Sequence, residues 1–179
     1  RAPAAEAVLG RVEVTASQVQ AIRDGTLVPG RLVIRGGEIA LLDATVYAEN
    51  ATAFDAPPLE VLGTGAVAIS GGSLATGARA GGRGADLVVR GAEVTVDRGA
   101  VVRTFTTAAG ASGAIDVAAS GTVMVLAEPS DPAYTALYSY STADGAGGAV
   151  RLRGERVVVD AALVGSEAYA RGSAGAVSL

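Results

Sequence analysis

The chain contains no Cys, no His, no Lys and no Trp, and only two Phe and one Met in 179 residues. Each absence removes a class of chemistry. Without His there is no Ser-His-Asp triad, and without Cys there is neither a thiol nucleophile nor a disulfide. Without Lys a Walker-type phosphate loop lacks its cation, so Gly63, Gly65, Gly81, Gly82 and Gly84 are read as corners of the chain. All 14 basic residues are Arg, set against 18 acidic ones for a net charge of −4. No basic block supports nucleic-acid binding, and no apolar run reaches the length of a membrane span. No signal peptide is visible; the chain opens at Arg1 rather than Met, which reads as a processed or excised segment.

Aromatic residues are 4% of the chain although hydrophobic ones are 50%. Ala, Val and Leu must therefore fill the interior. Small, uniform side chains suit a narrow core in which each layer repeats the one below.

What is present is a repeat. A Gly opens each unit, at Gly10, Gly30, Gly65, Gly84, Gly113, Gly148 and Gly175. A short strand follows, read at Val12-Glu13-Val14, Leu32-Val33-Ile34, Val67-Ala68-Ile69, Leu87-Val88-Val89, Ile115-Asp116-Val117, Val150-Arg151-Leu152 and Val177-Ser178-Leu179. Most copies alternate with the period of a half-buried strand. A polar break such as Arg35-Gly36-Gly37-Glu38 leads to a second strand, for example residues 39–42, 94–96, 123–125 or 157–159. Asp43, Asp97 and Asp160 come next, with Asp24 in a weaker copy, and then a third strand such as Val46-Tyr47-Ala48 or Val101-Val102-Arg103. A Gly/Ala/Ser/Thr-rich stretch closes the unit.

Hairpin turns of the Asn-Gly kind are missing, since the one Asn, Asn50, precedes Ala51. No amphipathic helical stretch is available for crossovers. Short parallel strands then have one outlet, which is to stack on their counterparts in the next coil. The expected fold is all-β, a right-handed parallel β-helix: a three-faced β-solenoid in which residues 1–179 form a single rod. Loops are expected near residues 50–63, around Pro57-Pro58, and near 128–135, around Pro129 and Pro132. The last unit stops after one strand, so neighbouring coils of a longer chain are expected partners.

The run Gly148-Ala149-Val150-Arg151-Leu152-Arg153-Gly154-Glu155-Arg156-Val157-Val158-Val159-Asp160 continues through Ser166 and Gly172 into Gly175-Ala176-Val177-Ser178-Leu179. It resembles the degenerate repeats of filamentous-haemagglutinin-like exoproteins of two-partner secretion systems, and the likeness extends over residues 30–179. The resemblance implies a right-handed β-helix exported through an outer-membrane transporter of a Gram-negative bacterium. It further implies a secreted or cell-surface location, an adhesive role, and no catalytic residues to carry over.

Two features remain as candidates for chemistry. The recurrent Asp residues are candidates for a stacked column able to bind Ca²⁺, against the reading that each satisfies backbone N–H groups of its own turn. Tyr138 and Tyr140, two apart on a strand, share a face, and Tyr134 lies in the adjacent insertion. Tyr134, Tyr138 and Tyr140 are the candidate contact surface for a host or neighbouring-cell glycan or protein, against the reading that the rings cover the rod or stack on a neighbouring coil. Asn50-Ala51-Thr52 matches a glycosylation sequon. The expected function is a non-catalytic structural and adhesive segment of a large secreted bacterial surface protein, with no cofactor and no metal. The alternatives are a carbohydrate-active β-helix, such as a polysaccharide lyase or tailspike-like depolymerase, and a packing module of an extracellular assembly.

Overall fold

The computed structural model describes residues 9–24, 30–128 and 134–179. Eighteen strands and no helix occur among them. They form three six-stranded sheets in which every pairing is parallel and joins strands three apart in sequence. The chain is a right-handed parallel β-helix, the hand that parallel crossovers almost always take.

Sheet one holds β3 (Leu32–Gly36), β6 (Leu59–Gly63), β9 (Leu87–Gly91), β12 (Ile115–Ala119), β15 (Val150–Arg153) and β18 (Val177–Ser178). Sheet two holds β1 (Val12–Thr15), β4 (Ile39–Leu42), β7 (Ala66–Ser70), β10 (Glu93–Asp97), β13 (Thr122–Leu126) and β16 (Arg156–Asp160). Sheet three holds β2 (Gln18–Asp24), β5 (Thr45–Ala51), β8 (Ser73–Ala78), β11 (Val101–Thr106), β14 (Ala136–Ser141) and β17 (Leu163–Ala168).

The register is simpler than the glycine spacing suggests. Leu32, Leu59, Leu87, Ile115, Val150 and Val177 lie in one column, spaced by 27, 28, 28, 35 and 27 residues. Two segments read as first strands belong elsewhere: Val12 pairs with Ile39 and Val67 with Val94, which puts both in sheet two. The strand missing from the first-strand series is β6. Residues 50–63 are not one loop, because β5 runs through Ala51 and β6 begins at Leu59. Only 52–58 connect them, a corner shorter than the eight residues at 107–114. Pro57-Pro58 ends that corner where no ladder N–H is required. By contrast 127–135 is longer than its counterparts, since β13 ends at Leu126 and β14 starts at Ala136 while β16 and β17 are separated by two residues. Pro129 and Pro132 lie outside the described residues.

Each coil sends five aliphatic side chains inward, two from sheet one, two from sheet two and one from sheet three. In one coil these are Leu87, Val89, Val94, Val96 and Val102, all fully buried. In the next they are Ile115, Val117, Val123, Val125 and Leu137, again fully buried. Burying each contributes about 1.5–3 kcal/mol. The column is too thin for aromatic rings, and none of the largest fully buried side chains is aromatic.

The corners explain the remaining composition. After β1, β4, β7, β10 and β16 the backbone bends through the left-handed region, at Ala16, Asp43, Gly71, Gly72, Arg98, Gly99 and Ala161, with φ between 45° and 73°. At the third corner Gly113, Gly148 and Gly175 lie over one another, each so close to the coil below that an added methyl group would overlap its carbonyl oxygen. Inside sheet three the polar side chains Thr76, Thr104 and Ser139 are fully buried. Thr76 Oγ1 donates to the Ala85 carbonyl at 2.7 Å and Thr104 Oγ1 to the Gly113 carbonyl at 2.6 Å. Ser139 Oγ accepts from the Gly148 N–H at 2.7 Å. These hydroxyls tie strand to corner and satisfy polar groups the core would otherwise leave unpaired.

Candidate functional site

The outward positions of sheet three form two columns. In the first, Tyr47, Ala75, Arg103, Tyr138 and Gly165 are in register. In the second, Glu49, Gly77, Phe105, Tyr140 and Glu167 are in register. Of five Tyr and two Phe in the chain, all the Tyr and one Phe gather on this face. The interior has no room for them, and the other two faces carry none.

The rings stack along the rod. Tyr47 and Phe105 have centroids 6.4 Å apart and planes 8° apart. Phe105 and Tyr140 are 5.6 Å apart at 17°, and Tyr138 and Tyr140 5.6 Å apart at 24°. Stacked rings at such separations add about 0.5–1.5 kcal/mol per pair. Tyr47 reaches Phe105 across an intervening strand because β8 carries Gly77 there, and the Phe105 ring lies over it. Guanidinium groups flank the row: Arg79 and Arg103 stand 5.9 and 5.7 Å from the Phe105 centroid, within cation–π range.

Tyr134, Tyr138 and Tyr140 come together on this face. Tyr138 and Tyr140 point outward from β14, and Tyr134 is 58% exposed beside them. The stacking of Tyr140 on Phe105 also realises the alternative in which rings rest on a neighbouring coil. Two depressions open on either side of Tyr138. One, of about 350 Å³, is lined by Gly72, Ser73, Gly99, Val101, Arg103, Tyr134 and Tyr138. The other, of about 290 Å³, is lined by Tyr134, Tyr138, Tyr140, Leu163, Glu167 and Tyr169. Their electrostatics differ. The first contains the Arg103 cation, whose Nε is buried without a hydrogen-bond partner among the described residues. The second contains the Glu167 carboxylate, which accepts from the Tyr169 hydroxyl and thereby pushes that phenol's pKa up. At the far end of the row burial, joined by the Glu49 carboxylate, pushes the Tyr47 phenol up to about 12. Glu49 also pairs with Arg79 at 2.7 Å.

Sequence reasoning missed Tyr47, Phe105, Tyr169, Arg79 and Arg103. Their signal is positional: Phe105 and Tyr140 are 35 residues apart, as are Arg103 and Tyr138, which is the length of that coil. Seeing it required the third-strand register, and the small, polar sequence of β8, Ser-Leu-Ala-Thr-Gly-Ala, hides that strand.

The proposed Asp column is not formed. Asp97 and Asp160 are the last residues of β10 and β16, whereas Asp43 lies one position beyond β4, in the left-handed bend. The register sets Ser70 beside Asp97, and Asp97 accepts a 2.6 Å hydrogen bond from the Ser70 hydroxyl. Asp24 ends β2 in another sheet. No three acidic residues converge to hold an ion among the described residues. The sequon is sealed as well. Asn50 is 1% exposed; its amide donates to the Phe54 and Arg83 carbonyls at 2.8 and 3.0 Å and accepts from the Thr52 hydroxyl at 2.8 Å.

Other carboxylates are engaged with Arg across coils. Asp116 lies between Arg90 at 2.5 Å and Arg153 at 2.7 Å. Burial works to raise its pKa, but the two guanidinium groups outweigh it and hold the carboxyl below its ordinary range. Compared with known proteins, the chain matches no family model, no curated protein and no solved structure.

Proposed function

We propose that this chain is a non-catalytic, adhesive β-solenoid segment of a large secreted bacterial surface protein, and that the aromatic face of sheet three is its contact surface. The observation that carries the reading is the segregation of aromatic residues. A chain this poor in aromatics places nearly all of them outside the core, on one face, in a continuous row. Exposed Tyr beside Arg is the composition of binding surfaces rather than of inert ones. The resemblance to filamentous-haemagglutinin-like repeats supplies the surface location and the two-partner export route. The non-catalytic reading is supported by carboxylates that are spent on structure: Asp86, Asp116, Glu49 and Glu60 each pair with an Arg.

The test is direct. Replacing Tyr134, Tyr138 and Tyr140 together with Ala should lower adhesion of the purified protein to glycan-bearing cell surfaces at least tenfold. Circular dichroism should be unchanged, because none of the three contributes to the aliphatic column. Undiminished adhesion of the triple variant would remove the proposal.

A further inference from the structure

From the column that runs Arg103, Tyr138, Gly165 we infer that the contact face binds an acidic saccharide, with a uronate carboxylate on Arg103 and the neighbouring sugar ring over Gly165. The inference rests on the adhesive reading and names its ligand. Three observations meet at this column. First, the three residues are directly in register on β11, β14 and β17. They span two strand spacings, about 10 Å, which is the reach of a disaccharide.

Second, Gly165 is a glycine in the middle of a strand, on its outward side, with no atom within 4 Å of where a side chain would project. Strand-interior glycine weakens a sheet and recurs where a ligand approaches the backbone closely. Leu163 and Glu167 flank it on the same side of β17, and both line the second depression together with Tyr138, Tyr140 and Tyr169. That floor is flat and walled by aromatic rings, which suits the apolar C–H face of a pyranose. The Glu167 carboxylate and the Tyr phenols supply acceptors and donors for its hydroxyls.

Third, among the described residues the first depression offers a cation and no lining carboxylate: Arg103 stands there with Tyr134, Tyr138 and backbone of Gly72 and Gly99. A guanidinium recognises a carboxylate through two parallel hydrogen bonds. The volume of about 350 Å³ falls at the small end of ligand sites, about 300–1,000 Å³, and that of about 290 Å³ just below it. Two small hollows divided by one ring fit linked sugar units better than the broad apolar patch a protein partner would need.

Isothermal titration calorimetry on the whole chain tests this with oligosaccharides of hyaluronan and of polygalacturonate, each beside its carboxyl-reduced, neutral counterpart. At least one acidic probe should bind, and its affinity should fall tenfold or more on carboxyl reduction or on Arg103→Gln. Gly165→Val should block the acidic and the reduced sugar alike while the thermal midpoint holds, since the added side chain meets open space. Equal binding of acidic and neutral forms, or an unaffected Arg103→Gln variant that retains its fold, overturns the inference. So does the absence of binding by every probe at millimolar concentration, or a tetraglutamate peptide that binds as well as the sugars. If those arms fail while the triple Tyr variant still loses adhesion, the contact face stands and only its ligand class falls. If adhesion survives the triple variant, both fall.

Discussion

At Gly113, Gly148 and Gly175 the backbone of one coil rests on the carbonyl oxygens of the coil below. No conformational demand selects glycine here, because none of the three has a positive φ. Space does: the approach is backbone to backbone, so no rotamer can yield. Gly148→Ala should therefore cost about 1–3 kcal/mol or more, read as a lowered urea midpoint. Gly165→Ala is the internal comparison. It adds the same methyl group to an open strand position, and its midpoint should hold or rise slightly. Equal losses at the two sites would mean that the third corner is looser than its packing shows. The recurrence of Gly113, Gly148 and Gly175 was legible in the sequence, but as markers of where units begin. That they are points of close backbone approach between coils became visible only once the coils were stacked.

Among the elements, sheet one joins neighbouring coils by charge on its outer face as well as by the aliphatic column within. Asp116 on β12 bonds Arg90 on β9 and Arg153 on β15, so a single carboxylate bridges three coils. The alternation in this strand predicts an outward, replaceable side chain at Asp116. The structure shows that it points outward and adds two ion pairs that a replacement would remove. Its native pKa is held below that of the unfolded chain, about 3.9. The stabilisation is accordingly complete above that value and is lost as pH falls through the native one. Asp116→Asn should lose about 1 kcal/mol at neutral pH. Its thermal midpoint should also depend less on pH than the parent's between neutrality and strong acid. Parallel pH profiles for the two proteins would show that the bridge contributes nothing. Sheet three was the element least legible in advance. Its strands β8 and β14 send a single Leu inward, Leu74 or Leu137, followed by small or hydroxyl-bearing residues, so no apolar period announces them. The inward Thr76, Thr104 and Ser139 of β8, β11 and β14 are stable in the core because a corner carbonyl or N–H from the same coil meets each hydroxyl.

For the whole molecule, stability is a sum over neighbouring coils, so position along the rod decides what a lesion costs. Ile115 is fully buried and packs in a column between Leu87 and Val150. Ile115→Asp would bury an unpaired carboxyl there and should be severely destabilising, by several kcal/mol, with hydrogen exchange accelerated in the coils on both sides. Val177 occupies the same column but is 46% exposed. Val177→Asp should be tolerated, with faster exchange confined to β15 and β18. Equal effects at both positions would argue against a stack whose coils act locally. The sequence by itself determined the class of fold: short apolar runs of period two in a recurring unit, no Asn-Gly turn and no amphipathic helix point to stacked parallel coils as the way to satisfy the backbone. It also determined that the core would be aliphatic, and that Tyr138 and Tyr140 would share a face, since strand alternation is a local property. Only the tertiary structure decided which strand lies over which. Register is a relation between segments about 28 or 35 residues apart, set by the joint fit of column, corner and polar tie. For that reason it alone assigned Val12 and Val67 to sheet two, separated Asp43 from Asp97 and Asp160, and brought Tyr47, Arg103 and Phe105 into line with Tyr134, Tyr138 and Tyr140.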